Sequence, residues 1–554
     1  MEKKKICFFI LLIFLSKTIW SQNNPSPIDI PLKISGNFGE LRNTHFHTGI
    51  DIKTNGKEGL KVRIVKNGYL SRVRINKGGY GKSLYMSHPD GTTSVYAHLN
   101  KFSKIIEDYV KKIQYENQSY EIQNFPEPNQ FMFNSGDLIG YSGNTGSSSG
   151  PHLHFEMRNS KTLKPFNPIN IGLKIIDTIE PIIKGLYLYE VYDDGDYKLL
   201  KKIPIKKINN TNYIASTIYN IGKLGIGLNF FDRQDNSYSK NGVYSINFKI
   251  NDKSIFHYKM DEINFNDKKY LKLLVDYKNW YLKKNKIQKL FTHPKSKYSF
   301  IDKSNSTGIL KVSKNDQFDG IIEIEDFNRN KINVILKIDG ILKDSMSNVS
   351  NKEIINPNYE YQFKSNGVSV LFPKNSFYNS VYFKIKNNND TLDLGENIYP
   401  LNKSFEIKYE INKNDSLFIK KGFISKINKY GNPIFLNTLK KNNLWSVKVS
   451  ELGQYALSID TISPKIKPLN FKKNQSIKDL KILKLKVNDD LSGVKSIKGF
   501  INKKWVLFEH EPKKKLISHN LSDLNFKSKK LELKITVEDY NTNISEFETI
   551  LNNN

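Results

Sequence analysis

The sequence of 554 residues contains a single cysteine, Cys7, which lies within an apolar run near the N-terminus. A disulfide framework is therefore excluded, and thiol chemistry is excluded as well once the N-terminal segment is removed. The apolar run, from Ile6 to Leu15, is too short to span a bilayer comfortably. Stability must come from hydrophobic cores, with or without a bound metal, and a hydrophobic content of 38% suffices for such cores.

The first twenty-one residues follow the pattern of a secretory signal peptide. Lys3, Lys4 and Lys5 precede the apolar run, and the small residue Ser21 offers a cleavage point. No stop-transfer segment follows. We therefore predict an exported protein of the periplasm or cell envelope, or of the extracellular space, with no integral membrane anchor after signal removal.

Arginine is scarce, with seven residues in a chain whose formal net charge is +31. The excess lysine is scattered among asparagine and isoleucine and forms no basic block, so we predict no nucleic-acid partner. A diffuse positive charge favours non-specific attraction to the anionic polymers of a cell envelope instead.

Histidine is also rare but clustered, because six of the ten histidines precede residue 155. The stretch His152-Leu153-His154-Phe155-Glu156 alternates polar and apolar residues, so a strand here places both histidines and the glutamate on one face. An isolated His-x-His is more often an ordinary surface pair. For Glu156 we expect a supporting or salt-bridged role rather than that of a catalytic base.

Partners for these histidines lie upstream, where His47 and Asp51 are four residues apart with a glycine between them. Together with His154 they supply the three His and Asp ligands that a catalytic zinc needs beside an open position for water. His98 and His152 then remain, either to orient or deprotonate that water or to stabilise the oxyanion formed at an attacked carbonyl. The other histidines lack metal-like spacing, and we predict surface positions for His88, His257, His293, His510 and His519.

Turn signals predict two hairpins in this region. Asn67-Gly68 interrupts two strand-like runs between Leu60 and Ile75, and Pro89-Asp90-Gly91 joins two more. The polar stretch from Tyr115 to Asn134 is predicted to be a long loop.

An internal repeat follows residue 176. Asp177-Thr178-Ile179-Glu180-Pro181 recurs as Asp460-Thr461-Ile462-Ser463-Pro464, and Glu325-Asp326-Phe327-Asn328-Arg329-Asn330 recurs as Glu538-Asp539-Tyr540-Asn541-Thr542-Asn543. The order is the same in both copies, which predicts two copies of one β-domain. The first copy is longer, and its extra residues include a Lys/Leu-rich stretch, Asp267 to Leu290, that we expect to be helical.

Three motifs in this order resemble the lysostaphin/LytM-type zinc metalloendopeptidases, which cut peptides of bacterial peptidoglycan. They are H-x-G-I-D at His47 to Asp51, Y-A-H-L at Tyr96 to Leu99, and a glycine-rich run that leads into P-H-L-H-F-E at Pro151 to Glu156. The match covers roughly residues 35–170. The resemblance implies one Zn²⁺ per chain on His47, Asp51 and His154, and catalytic assistance from His98 and His152.

We therefore predict a mostly β chain with an antiparallel β-sheet catalytic domain followed by several immunoglobulin-like β-sandwich domains. The predicted order is a signal peptide at 1–21, a zinc peptidase domain at 30–175, a β-sandwich-like domain with an insertion at 177–343, a β-rich domain at 350–459, and a repeat of the first β-domain at 460–554.

The resemblance implies an exported endopeptidase that hydrolyses peptide cross-links or stems of peptidoglycan with metal-activated water. Neither the bond that is cut nor the residues that bind the substrate can be assigned. The β-domains offer surfaces for cell-envelope protein partners. The alternative is a non-catalytic or latent module that binds the cell wall and activates other wall hydrolases, although retention of all five site residues argues against it. A third possibility is that the β-domains act mainly in adhesion or wall binding.

Overall fold

The computed structural model describes residues 26–302, 307–341, 354–382, 384–388, 391–412, 415–524 and 528–553. The predicted signal peptide and Cys7 lie outside the described residues. Within the described ranges, no helix is long and apolar enough to cross a membrane. Strands dominate and nearly all pair antiparallel, which confirms the predicted mostly β fold class.

The N-terminal unit, residues 26–175, consists of twelve strands, one α-helix and a short 3₁₀ helix. In chain order these are β1 (Ile34–Gly36), β2 (Ile50–Lys53), β3 (Lys61–Arg63), β4 (Gly68–Ile75), β5 (Lys82–Ser87), β6 (Thr92–Leu99), β7 (Lys101–Phe102), α1 (Lys104–Glu116), β8 (Ile122–Asn124), β9 (Met132–Phe133), β10 (Leu138–Tyr141), β11 (His152–Asn159), β12 (Pro165–Phe166) and the 3₁₀ helix Pro168–Ile171.

The main sheet of this unit has the strand order β1-β2-β11-β6-β5-β4-β8, with β12 beside β11 and β9 beside β4. All of its pairs are antiparallel. A small second sheet has the order β3-β10-β7. Strand β11 is buried on both faces. Leu153, Phe155 and Met157 enter the core on one face, and the polar residues His154 and Glu156 are buried on the other.

The two hairpin predictions have different outcomes. The hairpin through Pro89–Gly91 is confirmed, since β5 and β6 pair directly across it. The hairpin at Asn67-Gly68 is wrong, because β3 joins the small sheet while β4 joins the main sheet. The predicted loop from Tyr115 to Asn134 begins inside α1 and contains β8 and β9, both paired with β4.

The second unit, residues 177–341, contains two sheets with helices inserted before the last strands. Its elements are β13 (Ile182–Val191), β14 (Tyr197–Ile203), β15 (Ile205–Lys207), β16 (Asn212–Ala215), β17 (Ile218–Tyr219), β18 (Gly222–Phe231), β19 (Ser245–Ile250), β20 (Lys253–Lys259), a 3₁₀ helix (Phe265–Tyr270), α2 (Leu271–Leu274), α3 (Tyr277–Lys283), β21 (Gln288–Lys289), β22 (Leu310–Val312), β23 (Gln317–Glu325) and β24 (Lys331–Asp339).

One sheet of the second unit has the order β14-β13-β18-β21, with β22 also on β18, and the other runs β15-β16-β24-β23-β19-β20. Short β16 and β17 pair in parallel with β24. Alternate residues of β24 are buried, as expected for a half-buried strand. The helices between residues 265 and 283 confirm the helical prediction for most of the Lys/Leu-rich stretch.

The third unit, residues 354–459, contains two five-stranded sheets, β26-β27-β31-β35-β34 and β29-β30-β36-β32-β33, and a β25-β28 pair. Its elements are β25 (Ile354–Ile355), β26 (Tyr361–Ser365), β27 (Val368–Phe372), β28 (Val381–Tyr382), β29 (Lys386–Asn387), β30 (Thr391–Asp393), β31 (Phe405–Glu410), α4 (Ser416–Lys421), β32 (Gly422–Ile427), β33 (Pro433–Phe435), β34 (Leu439–Lys441), β35 (Leu444–Val449) and β36 (Gln454–Ile459).

The fourth unit, residues 460–553, contains two four-stranded sheets, β37-β38-β42-β41 and β40-β39-β43-β44. Its elements are β37 (Lys465–Pro468), β38 (Ile482–Asn488), β39 (Val494–Ile501), β40 (Lys504–Val506), β41 (Glu509–Glu511), a 3₁₀ helix (Pro512–Lys514), β42 (Leu516–Asn520), a 3₁₀ helix (Leu521–Asp523), β43 (Lys530–Asp539) and β44 (Ile544–Asn552).

The hydrophobic cores show which units pack separately and which share a core. The third and fourth units each have a core to which both of their sheets contribute. The N-terminal and second units share one continuous core, from Ile28 to Ile338. At their junction the rings of Phe46 and Phe300 pack edge to face, with centroids 5.0 Å apart. This contact anchors the segment immediately before His47.

Candidate metal centre

Two neighbouring strands and the turn before them position the three predicted metal ligands. Asp51 in β2 lies directly opposite His154 in β11 in the antiparallel register. His47 precedes β2 and its ring enters the same pocket. Asp51 Oδ1 lies 3.0 Å from His47 Nε2 and 2.9 Å from His154 Nδ1, and the two nitrogens are 3.1 Å apart. The structure thus gathers ligands that are 107 residues apart in the chain.

Gly49 permits this approach by having no side chain. A Cβ atom at this position would lie 2.3 Å from the carbonyl oxygen of Phe155 and 2.7 Å from Cγ of Glu156. Any other residue would therefore push the ligand-bearing turn away from β11. The glycine between His47 and Asp51 is needed for close packing against a neighbouring strand.

Hydrogen bonds on the outer side of each imidazole fix which nitrogen faces the pocket. His47 Nδ1 lies 2.7 Å from the carbonyl oxygen of Asn37, and His154 Nε2 lies 2.8 Å from Glu156 Oε1. A carbonyl or carboxylate oxygen only accepts, so each ring donates outwards and its other nitrogen offers a lone pair inwards. The inward atoms are the same ones that converge on Asp51.

The converging atoms fit a small cation. A tetrahedral metal with bonds of about 2.0–2.1 Å separates its ligands by about 3.4 Å, close to the distances between these donor atoms. Burial lowers the pKa of His154, but its contacts with Asp51 and Glu156 outweigh burial and raise that pKa to about 9. The surroundings therefore favour positive charge at this point, and the donor set of two imidazoles and one carboxylate suits a transition metal.

Asp51 is held as a carboxylate. Burial raises its pKa, but His47 and the close contacts with the imidazoles of His152 and His154 bring the pKa well below its usual value. Its second oxygen, Oδ2, accepts a 2.9 Å hydrogen bond from the guanidinium of Arg42. One oxygen thus faces the metal position while the other is fixed from behind.

Glu156 is the anchor of the inner face of β11. Its side chain is fully buried, and Oε1 accepts hydrogen bonds from Thr48 and Tyr80 in addition to His154. Oε2 forms an ion pair with Arg158, two residues along the same strand face. Burial opposes ionisation, yet Arg158 and His154 together hold the pKa of Glu156 well below its ordinary value. Glu156 is thus an ionised support for His154, as predicted.

His98 reaches the centre through a distortion of its strand. Its backbone has a φ of 60°, in the left-handed region that few residues other than glycine adopt. The register between β5 and β6 shifts close to this position, as in a β-bulge that redirects a side chain. Its Nδ1 lies 2.8 Å from the Thr145 carbonyl oxygen, so Nδ1 donates and Nε2 keeps its lone pair. Burial, and then His154 and His152, lower the pKa of His98 to about 3.

His152 completes the group at the start of β11. Its Nδ1 lies 2.8 Å from the Gly150 carbonyl oxygen, which leaves Nε2 as the acceptor, 3.4 Å from Asp51 Oδ1. The ring centroid lies 4.8 Å from that of His98. The structure therefore brings all five predicted site residues into one pocket, with His98 and His152 together on one side of the ligands.

Two glycine-rich loops border this pocket. The loop Gly78–Gly81 and the loop Gly143–Gly150 are joined by hydrogen bonds between Gly79 and Ser147 in both directions, each 2.8 Å long. At Gly146, a Cβ atom would lie 2.3 Å from the backbone of both Gly79 and Gly81. Side chains would separate these loops, and the loop contact fixes the carbonyl groups that orient His98 and His152.

The fourth unit touches the second of these loops. Lys513 Nζ donates to the carbonyl oxygen of Ser148 at 2.6 Å and to Asn144 Oδ1 at 3.0 Å. Nearby, the buried ammonium of Lys82 forms a 2.9 Å ion pair with Glu509 of β41. A distant segment of the chain therefore borders the candidate centre.

The predicted surface positions of most other histidines are wrong. His88, His293, His510 and His519 are all buried, and His257 is half-buried. His88, for example, contacts the carbonyl oxygen of Asn67 and the hydroxyl of Ser94. These rings satisfy polar groups inside the fold, a role that spacing in the sequence does not indicate.

Sequence reasoning missed several residues that support the centre. Tyr80 stacks on His154 with ring centroids 5.2 Å apart and donates to Glu156. The alternation of β11 places Arg158 on the same face as Glu156, so the Glu156–Arg158 ion pair could have been predicted from the sequence pattern. Tyr80 and Thr48 come from separate loops, and no sequence signal joins them to β11.

The antiparallel unit carries a His₂Asp group that could hold a metal ion, with two further imidazoles beside it, and this is the kind of donor set found in hydrolytic metal centres. The model of peptidase family M23 matches residues 45–115, and that of a Zu5-like domain matches residues 352–460.

Relatives at the sequence level agree with the first of these matches. DD-carboxypeptidase/endopeptidase Mpg of Neisseria meningitidis serogroup B is 32% identical over 146 residues, which are 26% of this chain and 27% of that protein. Lysostaphin of Staphylococcus simulans is 29% identical over 115 residues, which are 21% of this chain and 18% of that protein. The chain thus spans about a quarter or less of the length of these relatives.

A solved structure, the catalytic domain of lysostaphin from Staphylococcus simulans, is 23% identical, covers 25% of this chain and 90% of that chain, and has a TM-score of 0.19. On the family match and these sequence relatives, the chain contains a peptidase family M23 domain, homologous to Mpg and lysostaphin. The predicted resemblance is confirmed.

Proposed function

We propose that this protein is a zinc-dependent endopeptidase that hydrolyses peptide cross-links or stems of peptidoglycan. The observation that carries the proposal is the convergence of His47 Nε2, Asp51 Oδ1 and His154 Nδ1, each within 3.1 Å of the other two, beside two more imidazoles. Its homology to peptidases supports the reaction class. Zinc is the metal that this donor set suits best among those usual in hydrolytic centres.

The three ligands would hold zinc through lone pairs that their outer hydrogen bonds already direct inwards. When bound there, zinc would supply a Lewis acid that polarises a peptide carbonyl and lowers the pKa of water to about 7. Glu156 and the Asn37 carbonyl keep both imidazoles in the ligating tautomer. Arg42 keeps the Asp51 carboxylate from rotating, because it holds the oxygen that faces away from the pocket.

His98 and His152 are the groups that can move protons. Both donate from Nδ1 to backbone carbonyl oxygens, so both present an unprotonated Nε2 on the side of the ligands. The low pKa of His98 keeps its ring neutral, so the lone pair on its Nε2 is free to face the proton of a water molecule. After accepting that proton, either ring becomes a donor that can stabilise the oxyanion or protonate the departing amine.

The substrate class and the location belong to this proposal. Mpg is named a carboxypeptidase and endopeptidase, and the motif resemblance points to peptidoglycan peptides. The predicted signal peptide would bring the enzyme to the periplasm or cell envelope, where that substrate lies. The positive net charge favours association with anionic wall polymers, and the β-rich units offer surfaces for envelope proteins.

A latent or non-catalytic module remains the second candidate because of one contact. Lys513 of the fourth unit binds the Ser148 carbonyl in the loop that leads to His152. A unit fixed at this loop can restrict entry to the pocket until it moves. Such a protein would bind the wall and zinc without cleaving peptides.

Digestion of purified peptidoglycan tests the proposal. The protein from residue 22 onwards, its His154→Ala variant and a chelator-treated sample are incubated with the polymer, and fragments are identified by mass spectrometry. His45→Ala is the matched control, since this exposed histidine lies two residues from His47 outside the pocket. We expect new peptide ends from the parent and the control only, with activity restored to the chelated sample by Zn²⁺.

Three outcomes contradict the proposal in whole or in part. Equal release of peptidoglycan fragments by the parent, His154→Ala and chelated samples would refute the metal mechanism. One bound zinc per chain with no cleavage, together with enhanced activity of a second wall hydrolase, would favour the activating module. Cleavage of casein but not of peptidoglycan would keep the peptidase and reject the substrate.

A further inference from the structure

Two groups of three aspartates lie in the second and fourth units, far along the chain from the M23 centre. The first consists of Asp177, Asp232 and Asp326, and the second of Asp460, Asp489 and Asp539. Within each group, one carboxylate oxygen from every member lies within 4.8 Å of the others. Two members of each group are buried, which sets these clusters apart from ordinary acidic surfaces.

The two groups occupy matching places in the repeated β-units. Asp177 and Asp460 stand in the segments that enter the two units. Asp232 follows the last residue of β18, and Asp489 follows the last residue of β38. The third members, Asp326 and Asp539, come from the repeated Glu-Asp-x-Asn-x-Asn motif.

The repeated motif builds the same turn in both units. In the second unit, Asp326 accepts hydrogen bonds from the backbone and side-chain amides of Asn330, and that side chain also reaches the Asp177 carbonyl. In the fourth unit, Asp539 accepts from both amides of Asn543, whose side chain also reaches the Asp460 carbonyl. Each turn therefore ties one aspartate to the entering segment of its unit.

Buried oxygen atoms without a hydrogen-bond partner lie within the first group and beside the second. Asp232 is 2% exposed, and its Oδ1 has no hydrogen-bond partner although it belongs to the cluster. Asn241, whose backbone pairs with that of Asp232, is 4% exposed and has an unpartnered Oδ1. In the fourth unit, Ser492 donates its backbone amide to Asp460, while its side chain, in a residue that is 7% exposed, has an unpartnered Oγ. A buried oxygen without a donor is costly unless a cation binds it.

Positive side chains do not compensate these carboxylates. Among the described residues, no Lys or Arg lies within ion-pair distance of any of the six aspartates, although the chain has 86 Lys and Arg. Burial, and then the neighbouring carboxylates, raise the pKa of Asp232 to about 9. Clustered carboxylates without a counter-charge are what a divalent cation would stabilise.

Oxygen donors alone select hard cations. Ca²⁺ accepts six to eight oxygen ligands in irregular geometry and takes backbone carbonyls, amides and hydroxyls, whereas Mg²⁺ demands a strict octahedron and retains water. Carboxylates from three separate segments beside a buried amide or hydroxyl match the first description. We propose that the second and fourth units each bind one Ca²⁺ through these aspartate groups, which fixes the entering segment to its unit.

Isothermal titration calorimetry of the protein from residue 22 onwards, loaded with one Zn²⁺, tests this proposal with CaCl₂ as the titrant. We expect two Ca²⁺ per chain, one in Asp232→Asn, one in Asp489→Asn and none in the double variant. The matched controls are Glu325→Gln and Asp490→Asn, which alter neighbouring acids that pair with lysine or arginine instead. Both controls should bind two Ca²⁺.

Thermal unfolding provides a readout that loss of folding cannot imitate. Without Ca²⁺, the double variant should be at least as stable as the parent, because amides relieve the burial of like charges. With Ca²⁺ at 100 times its Kd, the parent Tm should rise while the double variant stays unchanged. No Ca²⁺-dependent rise in the parent, or the same rise in the double variant, would overturn the proposal, and an equal response to Mg²⁺ would overturn its assignment to calcium.

Discussion

Glu156→Gln is the substitution that most directly tests how the metal centre is held. The change keeps the size of the side chain but removes the negative charge that accepts from His154 and pairs with Arg158. The amide introduced by the substitution also brings two donors to a place where Thr48 and Tyr80 already donate. We therefore expect both weaker zinc binding and lower stability, although no ligand is altered.

The magnitudes follow from burial. Glu156 is fully buried and the Arg158 side chain is 11% exposed, so removing one partner leaves a buried charge that costs about 3–5 kcal/mol. Loss of the carboxylate behind a ligating histidine lowers metal affinity about 10–100-fold. Glu262→Gln is the matched control, because Glu262 forms a 2.8 Å ion pair with Lys164 at a half-exposed site and should cost under about 1 kcal/mol.

Urea unfolding of the metal-free protein measures the first effect, and competition with a chromophoric zinc chelator measures the second. Comparing the loss of unfolding free energy with the loss of zinc affinity separates general destabilisation of the fold from loss of orientation of the His154 ligand. A Glu156→Gln protein with zinc affinity within about twofold of the parent would refute the assigned role of Glu156. Equal destabilisation by Glu156→Gln and Glu262→Gln would refute the argument from burial.

Three further predictions address other parts of the molecule. Glu509→Gln should lower the free energy of unfolding by about 3–5 kcal/mol, because it leaves the buried Lys82 ammonium unpaired. Lys82→Met should lower it less, since the Glu509 carboxylate is 37% exposed and can be hydrated. Equal losses for the two variants in urea unfolding would contradict this. Burial lowers the pKa of His510 to about 4 in the folded protein, whereas the imidazole of the unfolded chain titrates near about 6.5. The neutral, buried imidazole therefore contributes fully to the free energy of unfolding above about pH 6.5, and this contribution is lost as the pH falls towards 4. His510→Gln should therefore flatten the fall of Tm between about pH 7.5 and 4.5, and an unchanged slope would count against it. His98→Ala and His152→Ala should each lower kcat about 10²–10⁴-fold with one zinc still bound, whereas loss of the zinc would assign them a structural role.

Local patterns in the sequence were sufficient for several features. Alternation from His152 to Glu156 predicted a strand with two histidines on one face, because side chains of a strand point to opposite sides in turn. Pro89-Asp90-Gly91 predicted the hairpin between β5 and β6, since these residues favour a tight turn. At Asn67-Gly68 a similar signal failed, because the turn type does not decide which sheet each strand joins.

For the candidate centre, some features follow from the sequence and others only from the tertiary structure. The sequence by itself supplied the residue types and spacing of His47, Asp51 and His154, and the periodicity that places Glu156 beside them. The tertiary structure decided that β2 pairs with β11, that a left-handed backbone at His98 turns its ring inwards, and that Lys513 reaches the loop before His152. These outcomes depend on contacts between residues far apart in the chain, which are selected by packing and burial over the whole fold rather than by any local preference.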